Sequence, residues 1–184
     1  LNREIIRART AEDLLALCKS RIDEFNNVNV ATALNQLAKR PDGLDAWHNG
    51  EATLLIDAAT NFAEVGSGRE LASMAWCCAK VQFSHQPLLE AISSRARQQN
   101  FAPQGISNVS WRLATIKFLD VPLMTLLATQ ATELMWEFDA QCVANTAWAY
   151  ASLKVNEKSL MDAAGEYAVT RTDKFAAQGL ANSV

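Results

Sequence analysis

Two asparagines, Asn108 and Asn145, stand 37 residues apart, and Asn182 follows at the same interval. Each has a glutamine four residues before it: Gln104, Gln141 and Gln178. A carboxamide offers a donor and an acceptor side by side, which suits two-point recognition of a base edge. Four cations occupy related places. Arg112 lies four residues after Asn108, and Arg69, Lys80 and Lys39 fall in upstream stretches that share the pattern. Arginine and lysine meet phosphate, and arginine also matches guanine. This is the chemistry of binding. Bond-making chemistry is poorly supplied: the two histidines, His48 and His85, have no metal-ligand partner three or four residues away. Gly66-Ser67-Gly68 lacks the Lys-Ser/Thr pair and the preceding strand of a phosphate loop. Carboxylates such as Glu51, Asp57, Glu64, Glu133, Glu137 and Asp139 have the spacing of solvated helix faces. The expectation is a segment without catalytic residues, cofactor or metal.

What positions these side chains is a repeat. Phe101-x-x-Gln104-x-Ile106-x-Asn108-x-x-Trp111-x-x-Ala114 returns as Phe138-x-x-Gln141-x-Val143-x-Asn145-x-x-Trp148-x-x-Ala151, and begins again as Phe175-x-x-Gln178-x-Leu180-x-Asn182. Divergent copies lie upstream around Leu71–Ala79, with Ser73 in the asparagine column, and around Phe25–Ala38, with Thr32 there and Asn35 in the tryptophan column. A fixed period of this size marks an array whose units bury their apolar faces against one another. Within the unit, Val143, Ala147, Tyr150 and Ala151 follow helical spacing over 140–154, and Leu160, Ala163, Ala164, Tyr167 and Ala168 follow it again after a polar break. Asn156 is placed to cap that second helix, Pro87 and Pro122 suit the first turn of its counterparts, and Thr10 with Asp13 makes a capping box for a lead-in helix over about 10–24. The fold predicted is an all-α solenoid of helix-turn-helix repeats over 1–184. Repeats begin near 25, 66, 101, 138 and 175, the last incomplete.

A helix turns about 100° per residue, so positions i, i+4, i+8 and i+11 share a stripe. The stripes predicted are Val28, Thr32, Gln36, Lys39; Arg69, Ser73, Cys77, Lys80; Gln104, Asn108, Arg112, Thr115; and Gln141, Asn145, Ala149, Ser152, with Gln178 and Asn182 opening a fifth. None holds an acid in a chain with 20 of them. Stacking would align the stripes on one surface. Packing supplies an alternative for the amides, since a recurrent Asn or Gln also serves as a buried bond to a neighbouring turn. The tryptophans Trp76, Trp111 and Trp148 are expected between helices, and Phe101, Phe138 and Phe175 as staples at helix starts.

Composition bounds the rest. The chain has 184 residues, 49% hydrophobic and 20% charged, with a net charge of −3. No apolar run reaches the ~18 residues of a membrane span, so no membrane partner is expected. Cys18, Cys77, Cys78 and Cys142 show no metal spacing and are expected as buried thiols. The chain opens on Leu1 and closes inside a repeat, which fits a piece of a longer array. Its terminal apolar residues Leu180 and Ala181 would then meet further repeats or another chain.

The stretch Phe138–Leu153 resembles the first helix of octotricopeptide-type repeats, Phe25–Lys39 is similar to the variant that opens such arrays, and the 37-residue period matches the related heptatricopeptide class. The resemblance spans roughly 25–184. It departs from the family where the proline-rich motif of the second helix is reduced to Pro87 and Pro122. It implies an organellar protein of mitochondrion or chloroplast, in algae or other protists, that binds single-stranded RNA or organellar rRNA in transcript stability, processing, translation or the ribosome. The alternative is a protein-interaction scaffold in a large organellar assembly, which the acidic pI of about 5.4 favours.

Overall fold

Apolar residues at helical spacing produce helices almost everywhere this sequence carries them. The structure, a computed structural model, describes residues 1–171; the fifth-repeat positions Phe175, Gln178, Leu180, Ala181 and Asn182 lie outside them. Among the described residues the α-helices run in the order α1 (Asn2–Arg7), α2 (Ala11–Arg21), α3 (Asn27–Lys39), α4 (Leu44–His48), α5 (Thr53–Ala63), α6 (Gly68–Val81), α7 (Gln86–Ala96), α8 (Pro103–Thr115), α9 (Val121–Glu133), α10 (Ala140–Leu153) and α11 (Lys158–Thr170), with no strand. Four repeats are therefore paired as α3/α5, α6/α7, α8/α9 and α10/α11. The extra length in the first repeat forms a 3-10 turn at Pro41–Gly43 and the short α4, which buries Trp47.

Helix starts follow local chemistry. Thr10 and Asp13 form the expected capping box on α2. Asn26 with Asn29 does the same for α3, and Ser67 with Glu70 for α6. The Gly66-Ser67-Gly68 stretch is thus a helix start. Phe25, Phe101 and Phe138 are buried one residue before the N-caps of α3, α8 and α10, where a hydrophobic staple sits. Asp120 caps α9, accepting from Leu123 N–H at 2.9 Å just before Pro122.

Asn156 does not cap α11. Residue Lys154 takes a left-handed conformation, and Val155 N–H donates to Tyr150 O at 2.9 Å, so the turn is complete before Asn156. Glu157 holds the N-cap place, and its carboxylate accepts from Thr125 Oγ1 of α9 at 2.8 Å. The same turn recurs. Gln82, Lys117 and Lys154 all have positive φ, with Phe83 N–H reaching back to Cys78 O, Phe118 N–H to Leu113 O and Val155 N–H to Tyr150 O. This is the Schellman closure, with an apolar residue folded onto the helix end.

A second column ties the later helix to the start of the earlier one in the second, third and fourth repeats. Arg95 Nε donates to Gly66 O at 3.2 Å. Gln130 accepts from Phe101 N–H at 3.0 Å and donates to Gln99 O at 3.0 Å. Tyr167 Oη donates to Phe138 O at 2.7 Å. The side chains differ, yet each satisfies backbone groups in the lead-in turn, which would be costly to bury unpaired.

The chain divides into two compact units, Leu1–Ala96 and Arg97–Val184. In the first, α3 packs on α6 and α5 on α7; in the second, α8 packs on α10 and α9 on α11. Earlier helices thus line one side of each unit and later helices the other. Tyr150 anchors the second unit: it is fully buried, and its hydroxyl donates to Met124 O at 2.5 Å. Burial holds this phenol well above its ordinary pKa, with the Glu157 carboxylate adding to the effect.

Candidate nucleic-acid interface

The exposed stripe of each earlier helix is polar, as its spacing predicts, but its third member is displaced by one residue. It runs i, i+4, i+7, i+11: Val28, Thr32, Asn35, Lys39 on α3; Arg69, Ser73, Trp76, Lys80 on α6; Gln104, Asn108, Trp111, Thr115 on α8; Gln141, Asn145, Trp148, Ser152 on α10. The reason is angular. Seven residues bring the helix back to within about 20° of its start, whereas eight overshoot by about 80°. That overshoot turns Cys77 and Ala149 into the core. Arg112, in the same column, is half-buried with its Nε enclosed, so it flanks the stripe. The tryptophans, expected between helices, lie on the stripe where neighbouring helices meet: Trp111 is 38% exposed, and Trp76 and Trp148 are half-exposed.

In the unit Leu1–Ala96 the stripes of α3 and α6 touch. Asn35 Nδ2 donates to Ser73 Oγ, and Lys39 Nζ lies 5.6 Å from the centre of the Trp76 ring. Arg69 and Lys80 stand exposed at the two ends of α6. This face is cationic. In the unit beginning at Arg97, the stripes of α8 and α10 meet through Trp111 and Trp148, whose ring centres are 6.3 Å apart and tilted by 38°. Gln104 and Gln141 are exposed and Asn108 and Asn145 half-exposed. Gln141 Nε2 donates to Asn145 Oδ1 at 2.8 Å. That bond joins two residues of the same surface stripe and is not the bond to a neighbouring turn that a packing role entails. This face is uncharged.

Acid is sorted by helix. Among α3, α6, α8 and α10 the one acidic residue is Glu70, and its carboxylate is spent on the backbone N–H of Ser67 at 2.8 Å. The later helices carry Asp57, Glu90, Glu133, Asp162 and Glu166, all exposed. Cys18, Cys77, Cys78 and Cys142 are buried, and burial pushes the Cys78 thiol up to about 12, far from thiolate at neutral pH. Among the described residues, no group of three or more His, Cys, Asp or Glu is placed to hold a metal ion, and no helix is long and apolar enough to cross a membrane.

No family model matches the chain. It is similar to a RAP domain-containing protein, chloroplastic, of Oryza sativa subsp. japonica, with 25% identity over 162 residues, 77% of this chain and 25% of that protein. The chain therefore spans about a quarter of that relative's length.

Proposed function

We propose that this chain is a single-stranded RNA-binding repeat segment of an organellar protein, working in transcript stability, processing or translation or as a ribosome component, and catalysing nothing itself. One observation carries the reading: the exposed faces of α3/α6 and α8/α10 are free of carboxylate in an acidic chain, and they display amides, hydroxyls, indoles and cations. Acid repels phosphate, so its absence from these stripes is what an RNA-facing surface requires. The relative's chloroplastic label supports an organelle. The 37-residue period supports reading the repeat as similar to the heptatricopeptide or octotricopeptide type. Lys39, Arg69 and Lys80 would meet phosphate, Gln104, Asn108, Gln141 and Asn145 would meet bases, and Arg112 would contribute from the flank.

A scaffold reading has its own support in the net negative charge and the uncharged α8/α10 face. Titration of a pool of short single-stranded RNAs at several salt concentrations separates the two. RNA binding gives an affinity that falls steeply with salt. Absence of binding even at low salt would replace this reading with the scaffold.

A further inference from the structure

Resting on the RNA-binding reading above, we infer that Trp111 and Trp148 form a stacking platform for one unpaired nucleobase, and that this makes the α8/α10 face a base-binding surface and the α3/α6 face a backbone-binding one. Trp111, 38% exposed on a polar helix stripe, leaves apolar ring surface facing solvent, and the pair sits among carboxamides. A base has a π-face whatever its identity, so stacking holds it while the edges stay free for Gln104, Asn108, Gln141 and Asn145. The spacing fixes the mode. Ring centres 6.3 Å apart and tilted by 38° leave less than the ~7–8 Å that two stacked contacts need. The base therefore lies over an outer indole face and not between the rings. Trp76 holds the equivalent place on α6, but Lys39 Nζ already lies over its ring at 5.6 Å. That ring orients a cation, and the cation is presented to phosphate.

The test uses the full chain and single-stranded oligoribonucleotides of uniform sequence, with 5-iodouridine placed singly as a photo-crosslinking base. Expected are crosslinks mapping to Trp111 or Trp148, and a loss of affinity on the order of tenfold in Trp111→Leu with Trp148→Leu. Trp111→Phe should retain most of the affinity because it keeps a ring. Circular dichroism melts of the same variants show whether they are folded, and the crosslink positions on the parent chain carry the test if the Leu variants are not. Parent-like affinity in folded Leu variants, or crosslinks confined to α3 and α6, would overturn the platform while leaving RNA binding in place. Equal binding of a duplex of the same length would also overturn it, because paired bases cannot reach the indoles. No binding by the parent chain would remove the RNA-binding reading itself, and the platform with it.

Discussion

The α3/α6 face and the α8/α10 face are built alike and equipped differently. In both, two neighbouring helices present residues at i, i+4, i+7 and i+11, and the tryptophan column sits where the helices meet. On α3/α6 the positions hold Lys39, Arg69 and Lys80, and the single indole is covered by a lysine. On α8/α10 they hold paired amides and two neighbouring indoles. The scaffold fixes where a side chain points, and the stripe is free to vary because packing does not constrain it. A cationic face gives affinity without sequence information, and an amide face gives the reverse.

The comparison breaks most completely if the scaffold under one face is removed. Tyr150→Ala empties a fully buried site and deletes the bond to Met124 O, and should cost about 3–5 kcal/mol. Chemical denaturation followed by helical signal would measure it. A loss below about 1 kcal/mol would mean that the second unit does not depend on this anchor.

A smaller effect sharpens the contrast between the faces. Replacing Lys39, Arg69 and Lys80 together by alanine should lower the salt slope of single-stranded RNA binding by about 0.7 for each phosphate no longer neutralised. The affinity loss should be the same for every sequence. Asn108→Ala with Asn145→Ala should leave the slope alone and cost about 1–3 kcal/mol only for the preferred sequence. If the two sets behave alike, the division between the faces is wrong.

Smaller again is the stability effect of Asn145→Ala alone. Its bond partner Gln141 is an exposed side chain on the same helix, so the melting free energy should move by no more than about 0.5 kcal/mol. A loss of about 1–3 kcal/mol would mark a buried, structural amide instead.

The slightest effect lies in the helix that leads into the first face. Hydrogen bonds from Thr10, and then from Arg9, hold the Asp13 carboxyl below its ordinary pKa. The folded value lies below the unfolded one. The contribution is therefore present above the unfolded pKa and is lost as pH falls through the folded value. Asp13→Asn should lower stability slightly at neutral pH, shallow the acid limb of a pH–stability curve and let the two curves converge below the folded value. An identical acid limb in parent and variant would remove the capping box as a source of stability.

Much of this was written in single residues. The repeat of Phe, Gln, Asn and Trp named the units, and apolar spacing named the helices, because a helix is built from interactions a few residues apart. Thr10 with Asp13, and the staples Phe101 and Phe138, were legible for the same reason. The turn at Gln82, Lys117 and Lys154 was not, since a left-handed residue usually announces itself as glycine and here the closure of Phe83, Phe118 and Val155 onto the helix end sets it. The clamp column was hidden as well. Arg95, Gln130 and Tyr167 share no chemistry, and only the folded repeat shows that each meets the backbone of the same turn.

The sequence by itself determined the period, the helices and the exclusion of acid from one stripe of each repeat, all of which follow from local spacing and composition. Helix geometry by itself sets position i+7 closer to the stripe than i+8. Tertiary structure decided how far each side chain is covered. Cys77, Ala149 and the Nε of Arg112 are enclosed, and Trp76, Trp111 and Trp148 stay reachable from solvent. That coverage depends on the direction from which the next helix approaches, and no spacing within one helix records it.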